Sequence, residues 1–316
     1  MATHERGLFT LSDLKTTELE SLIARSCELF TDRCAHTLPL NGKIVGILFA
    51  KTSTRTRTAF TVGTIRLGGV PITYGPHDLQ TNTGESVQDT GRVLGRMLDA
   101  VVVRTAGPVA EMRELSRQGG LPVINAMAAE EHPTQGVCDL AVMLMEFGSL
   151  RGLSVLYVGE GNNTAAALAH GLSRMPLCDV TFATPPGYGV SPAILGNAKK
   201  WAAEGGGSVT QVHDLDDLPG SVDVVYTTRW ETTGTVKDDP GWREKFRDFY
   251  VDERLLRRWP TAKLMHDLPA HRGQEVSGAV LEGPRSLAWS QAEMKLTSAM
   301  AILEWAAGDD RGRPRA

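Results

Sequence analysis

The feature that most constrains this chain is the recurrence of short apolar runs separated by amphipathic stretches of helical length. Runs at Lys43–Phe49, Ala100–Val103, Pro122–Asn125, Ser154–Val158, Asp179–Ala183, Val222–Thr227 and Lys263–His266 alternate with helical patterns such as Glu85–Leu98 and Thr134–Phe147. Near-continuous apolar runs suit strands buried on both faces, and parallel strands need a crossover, usually helical, between them. The pattern predicts an α/β protein of two doubly wound parallel-sheet domains. Gly148–Gly152 separates a long helical pattern from a fresh strand. The expected organisation is therefore a first domain over 1–148, including a bridging helix over 134–147, and a second over 149–287. A helix over 288–307 is expected to return to the first domain, followed by a charged tail over 308–316.

Charge and cysteine usage narrow the function classes. With 33 Lys and Arg against 37 Asp and Glu, the 316-residue chain carries a formal charge of -4, which excludes a broad nucleic-acid surface but leaves room for a local cationic pocket. Cys27, Cys34, Cys138 and Cys178 show no C-x-x-C spacing, so they read as reduced, mostly buried thiols and not as a zinc site or a disulfide framework. No apolar leader precedes the first domain, and no stretch approaches the roughly 18 apolar residues of a membrane span. These features predict a cytoplasmic protein with a small-molecule partner. His4, His36, His77, His170 and His213 are dispersed and carry no assigned role, and Trp230 and Trp289 are expected in the core or a pocket wall.

The segment Phe49–Phe60, F-A-K-T-S-T-R-T-R-T-A-F, takes an apolar strand directly into a helix through hydroxyls and cations. Ser53 is the expected N-cap. The unpaired N–H groups of the first helical turn and the helix dipole favour an anion there. The hydroxyls of Ser53, Thr54 and Thr56 and the guanidinium of Arg55 add charge-assisted bonds suited to a phosphate. Taken alone, the same residues would also fit a capped surface helix with solvated arginines.

Five motifs in order weigh against that plainer reading. S-T-R-T-R at 53–57 resembles the phosphate-binding motif of the aspartate and ornithine carbamoyltransferases. V-V-V-R at 101–104 is similar to the family strand that ends in a carbamoyl-phosphate arginine, and H-P-T-Q at 132–135 to its H-P-x-Q motif. V-G-E-G-N-N at 158–163 and H-D-L-P-A-H-R-G at 266–273 are similar to segments of the ornithine branch. The resemblance implies a carbamoyl-phosphate domain followed by an amino-acid domain, no metal, no organic cofactor, and a homotrimer in which a neighbouring subunit completes each site. Gln80, in L-Q-T-N-T-G-E at 79–85, occupies the position of that neighbour's loop.

The resemblance also implies roles. Carbamoyl transfer passes through a tetrahedral species that bears an oxyanion and expels phosphate. Arg104, His132 and the Thr56 hydroxyl would polarise the carbonyl, each such donor being worth about 3 kcal/mol. Gln135 would orient the carbamoyl nitrogen, and Arg55 with the Ser53–Thr56 backbone would hold the departing phosphate. Arg57 fits either an active-site cation or an ion-pair partner. Lys295 stands where the family usually has an arginine, which removes a bidentate fork.

The acceptor half departs further from the family. Asn163 matches the asparagine used on the amino-acid carboxylate. Where the ornithine branch shows D-x-W-x-S-M-G, this chain has Thr228, Arg229, Trp230, Glu231, Thr232, Thr233 and Gly234, so a threonine replaces the acid that holds the α-ammonium. Asp267, followed by Leu268, stands where those enzymes have cysteine, and is a catalytic candidate: its carboxylate could accept the proton of the incoming ammonium or pair with a second cationic group on the substrate. Arg229 and Asp267 together imply an acceptor bearing an amine and a carboxylate, other than plain ornithine. The candidate acceptors as a whole are an ornithine-like amino acid or related diamine, or alternatively 2,3-diaminopropionate, lysine, an N-acylornithine, a polyamine or a natural-product amine. Two rivals are weaker. A dinucleotide fingerprint at 158–163 fails because Thr164 takes the third glycine position, and a non-catalytic carbamoyl-phosphate-binding trimer would not need Ser53–Arg57, Arg104, His132 and Gln135 all intact.

Overall fold

The computed structural model describes residues 7–32, 37–232 and 235–308. Among these residues ten strands form: β1 Gly7–Leu8, β2 Ile44–Phe49, β3 Val70–Tyr74, β4 Ala100–Arg104, β5 Val123–Asn125, β6 Ser154–Val158, β7 Asp179–Ala183, β8 Ser208–Val212, β9 Val224–Thr227 and β10 Lys263–His266. They make two parallel five-stranded sheets, ordered β1-β5-β4-β2-β3 and β10-β9-β6-β7-β8. The expected two-sheet α/β architecture is therefore present. Two compact units follow the sheets: Met1–Ala141 with Met294–Ala316, and Val142–Glu293. The helix Pro133–Phe147 carries the chain out of the first unit, and the helix Ala288–Ala307 brings it back.

Burial explains which strands were legible. β2, I-V-G-I-L-F, and β4, A-V-V-V-R, are central and almost wholly buried, so they are continuous apolar runs. β3 is an edge strand with a proline and an exposed Val70 and Ile72, and β8, S-V-T-Q-V, is a polar edge. Neither β1, β3 nor β8 stood out in the sequence. The first unit's core packs Phe9, Leu48, Leu98, Val101, Met112 and Val123, and the second packs Leu156, Val225, Leu264, Trp259 and Phe249.

Two local expectations change. The helix expected over Glu85–Leu98 spans only Val87–Leu94, because Gly91 and Gly95 press against the helix Val109–Gly119; a Cβ on Gly95 would lie 2.0 Å from the Gly119 carbonyl oxygen. Trp289 is half exposed at 52 %, not core. Cys138 and Cys178 are buried thiols outside any disulfide, as expected, and Cys27 is half-buried, its thiol pushed up to about 11 chiefly by burial. Cys34, His4, His36, Thr233, Gly234 and the tail from 309 lie outside the described residues. Among the described residues no helix is long and apolar enough to cross a membrane.

Both sheets reverse their winding direction once. In the first, β2 lies between β3 and β4, and Phe49 pairs with Arg104 where those strands end. In the second, β6 lies between β7 and β9, and Val158 pairs with Thr227. Such switch points open a crevice at the carboxyl ends of the strands, where ligands of open α/β sheets bind.

Candidate active site

In the first unit the chain leaves β2 at Phe49, and Ala50 N–H donates to the Arg104 carbonyl at 2.9 Å, tying the strand-to-helix loop to the end of β4. The helix that follows spans Arg55–Arg66. Ser53 is not its cap: Thr54 takes that place in right-handed helical conformation, with φ −84° and ψ −60°, and no side chain closes the first turn. The first turn's N–H groups thus keep the anion-binding character that a side-chain cap would consume. Thr54 is exposed, Ser53, Arg55 and Arg57 are half-buried, and Thr56 is buried.

Thr56 lines a small pocket with Phe60, His132, Gln135, Lys295 and Ser298. His132 is 5 % exposed, and its Nδ1 lies 3.2 Å from the Thr134 hydroxyl. Burial, then the charges of Arg104 and Lys295, hold its imidazolium form well below the usual histidine range, so the ring is neutral and can offer one N–H to a ligand oxygen. Gln135 is clamped at both ends of its amide. Nε2 donates to Asp139 at 2.6 Å, and Oε1 accepts from the Lys295 ammonium. Asp139 is fully buried one helical turn along. Nothing in the sequence singled it out, since a lone acid inside an apolar helix has no local pattern.

The loop into His132 is also fixed by groups the sequence did not reveal. Asn125 at the end of β5 donates to the carbonyls of Phe9 and Glu131 and accepts from Met127 N–H. The buried Glu131 carboxylate accepts from Leu11 N–H at 2.7 Å. Gln80 opens an exposed turn over Gln80–Thr83, its carbonyl oxygen accepting from the Thr83 hydroxyl, and it does not line the His132 pocket.

In the second unit β6 ends at Val158 and turns through Gly159 and Gly161 into the helix Asn163–Leu172. Gly159 has φ +130°, and a Cβ on Gly161 would sit 2.0 Å from the Val190 backbone nitrogen. Asn162 caps the helix, accepting from Thr164 and Ala165 N–H, and leaves Asn163 buried at its first position.

The strand ends of β9 and β10 meet through side chains. Asp267 Oδ1 accepts from the Thr228 hydroxyl at 2.7 Å, and Oδ2 from the Thr164 hydroxyl at 3.0 Å. Its side chain is 14 % exposed. Beneath it, fully buried His266 accepts Leu268 N–H on Nδ1 at 2.9 Å and so donates from Nε2 to Glu275 at 3.2 Å. Leu268 is half-buried against the core, with φ +54° and a cis bond to Pro269. Tyr157, buried nearby, is pushed well above the usual phenol range by burial and by the charges of Asp267 and Glu160. Arg229 is half-buried, and the Thr232 hydroxyl lies 3.4 Å from Glu160. Trp230 sits in an aromatic cluster with Trp242 and Phe246.

The structure thus gathers Thr56, His132, Gln135 and Lys295 in the first unit, and Thr164, Thr228 and Asp267 in the second. Among the described residues no group of three or more His, Cys, Asp or Glu side chains is arranged to hold a metal ion.

Comparison with known proteins agrees over the whole chain. Residues 6–145 match the carbamoyl-phosphate-binding domain of the aspartate/ornithine carbamoyltransferases, and 151–306 match their aspartate/ornithine-binding domain. The chain is 42% identical over 266 residues to an ornithine carbamoyltransferase of Symbiobacterium thermophilum, covering 84% of this chain and 85% of that protein. It is 37% identical over 297 residues to one from Gloeobacter violaceus, covering 94% of each. The solved ornithine carbamoyltransferase of Pyrococcus furiosus superposes with a TM-score of 0.89 at 33% identity, over 97% of this chain and 98% of that one. The chain belongs to the aspartate/ornithine carbamoyltransferase family and is a carbamoyltransferase.

Proposed function

We propose that this carbamoyltransferase transfers the carbamoyl group of carbamoyl phosphate to an ornithine-like amino acid, one that presents a carboxylate, a second ammonium and the reacting amine. The observation that carries the reading is the Asp267 carboxylate held by Thr228 and Thr164. Relative to the ornithine-branch pattern, the acid at position 228 has become a threonine and the cysteine at 267 an acid. The acceptor half therefore keeps one carboxylate, moved from the end of β9 to that of the neighbouring β10, a spacing of about 4.8 Å between paired strands. Both Asp267 oxygens already accept hydroxyl bonds, which fix the carboxylate from two sides. It is suited to holding an ammonium that does not react. Asn163 and Arg229 would take the carboxylate.

On the donor side Arg55 and the first-turn N–H groups, which no side chain caps, bind the phosphate. Thr56, Arg104 and neutral His132 donate to the carbonyl oxygen as it gains charge, and Gln135, clamped by Asp139 and Lys295, faces the carbamoyl nitrogen. The attacking amine must be neutral, and an alkyl ammonium near pKa 10.4 costs about 4 to 5 kcal/mol to deprotonate at pH 7. Positioning and electrostatics supply the rest of the rate.

Lys295 in the arginine position and the displaced carboxylate favour a second reading, the same chemistry on a non-ornithine acceptor. These include 2,3-diaminopropionate, lysine, an N-acylornithine, a polyamine or a natural-product amine. The exposed Gln80 turn and the exposed apolar residues Ile65, Val70, Ile72, Val93 and Met97 support a homotrimer in which Gln80 contacts carbamoyl phosphate held by a neighbouring copy. A ureido-product assay with carbamoyl phosphate against an amine panel tests the reading, run on the native chain and Arg55→Ala. Turnover with ornithine or a close homologue, lost in Arg55→Ala, is expected. Carbamoyl phosphate binding without turnover on any amine would overturn it in favour of a non-catalytic trimer.

A further inference from the structure

At the carboxyl ends of β6, β7 and β9, the edge that carries the acceptor residues, an ammonium is buried in a cage that the transfer chemistry does not use. Lys237 follows β9, and its side chain is only 7 % exposed where it pairs with Glu160, itself 18 % exposed. Its Nζ lies 5.2 Å from the ring centroid of Tyr188, 5.3 Å from that of Trp242 and 5.3 Å from that of Phe246. The rings brace one another: Phe246 packs edge-on to Tyr188 at 4.9 Å and to Trp242 at 5.5 Å. Tyr188 is further held by its hydroxyl on Asp239.

Lysine ammoniums normally stay in water, and one is buried only where other groups replace its hydration. Here a carboxylate supplies the countercharge and three ring faces supply the remaining contact, the composition of sites that recognise ammonium ligands. Glu160 depends on the same partner: burial pushes its carboxyl above the ordinary range, and Lys237 opposes that shift. Glu160 lies in the turn that leads to Asn163, and its other oxygen accepts from Thr232.

We propose that Glu160, Tyr188, Trp242 and Phe246 form a cation-recognition box whose ligand is the chain's own Lys237. Lys237 is thereby a positioning residue for the acceptor half-site: it fixes Glu160 and, through it, Thr232, without touching the acceptor. This role rests on the acceptor reading given above, whereas the box itself does not. An emptied box takes a small alkylammonium.

The experiment uses the full chain with Lys237→Ala, Lys237→Met and Lys237→Arg. Alanine retains Cβ, so the deleted fragment corresponds to n-propylammonium, which is the probe, with sodium chloride at equal ionic strength as control. Deuterium uptake is followed in peptides covering 157–163, 228–232 and 235–246, alongside tryptophan emission from Trp230 and Trp242. In Lys237→Ala, uptake in these peptides should rise at least tenfold and return saturably towards native with n-propylammonium but not with sodium. Lys237→Met, whose apolar stem fills the box, should not respond to the probe, and Lys237→Arg should stay near native. Where turnover is measured, acceptor KM should rise about tenfold in Lys237→Ala with donor KM unchanged, and recover with the probe. Equal responses to both salts, or none, in a variant that still unfolds cooperatively would overturn the box. Should Lys237→Ala fail to fold, Glu160→Gln is substituted, and native uptake in its 235–246 peptide overturns the box equally. Recovered exchange with acceptor KM at the native value in Lys237→Ala would overturn the positioning role. The exchange readout needs no turnover, so loss of the acceptor reading leaves it decisive for the box.

Discussion

The hydroxyl of Thr228 donates to Asp267 Oδ1 at 2.7 Å, joining the ends of two neighbouring strands through the one pair of positions at which the ornithine-branch pattern is exchanged. On the acceptor reading proposed above, the two differences are one change, a carboxylate moved across a strand together with a hydroxyl to hold it. The double variant Thr228→Asp with Asp267→Cys should raise kcat/KM for ornithine at least about tenfold over either single variant. Asp267→Asn alone should raise acceptor KM by about 10- to 100-fold, as expected when a charged hydrogen bond is lost, with donor KM unchanged. Steady-state kinetics with both substrates varied checks this. Additive single effects would show that the two positions act separately.

His132 gives a stability signature. Burial and the charges of Arg104 and Lys295 keep it neutral in the folded protein well below its ordinary 6.5, whereas the unfolded chain takes up that proton as the pH falls through 6.5. Its contribution is thus fully present above 6.5 and is lost on acidification, at up to about 1.4 kcal/mol per pH unit. Urea unfolding of the native protein and His132→Asn between about pH 5 and 7.5 should show a steeper acid loss in the native protein. Parallel curves would mean that the histidine is protonated in the fold.

Lys295 holds Gln135 by its carbonyl oxygen while Asp139 takes the amide nitrogen. Lys295→Met should raise the KM for carbamoyl phosphate about tenfold or more, and Asp139→Asn should lower kcat through a misoriented amide. Lys295→Arg, by restoring a two-pronged donor, should lower the donor KM. The same kinetic runs report all three, and an unchanged donor KM in Lys295→Met would remove Lys295 from the site.

Gly161 is required by packing. A Cβ there would lie 2.0 Å from the Val190 backbone nitrogen, and the Gly161 N–H donates to the Tyr188 carbonyl at 2.8 Å. Gly161→Ala should destabilise the protein by about 2 kcal/mol or more, since neither backbone can yield without losing a hydrogen bond. Denaturant titration measures the loss, and a change under about 0.5 kcal/mol would show that the turn adapts.

The sequence by itself determined the class, the two-sheet architecture and the donor motif, because each depends on local order. Apolar runs of strand length name the central strands, and Arg55, Thr56, Arg104, His132 and Gln135 sit at fixed offsets from their ends. Edge strands β3 and β8 escaped it, since an edge needs no continuous apolar run and here carries proline or polar residues. The cap at Thr54 in place of Ser53 is a matter of backbone angles that residue types do not fix. Only tertiary structure brought the acceptor departures together. Thr164, Thr228 and Asp267 lie up to 103 positions apart, and nothing in their spacing says that three strand and helix ends converge on one carboxylate. Likewise Asp139 and Lys295 acquire their role at Gln135 only when the final helix is folded against the first unit, because a hydrogen bond between residues 160 positions apart is made by the fold and not by the chain.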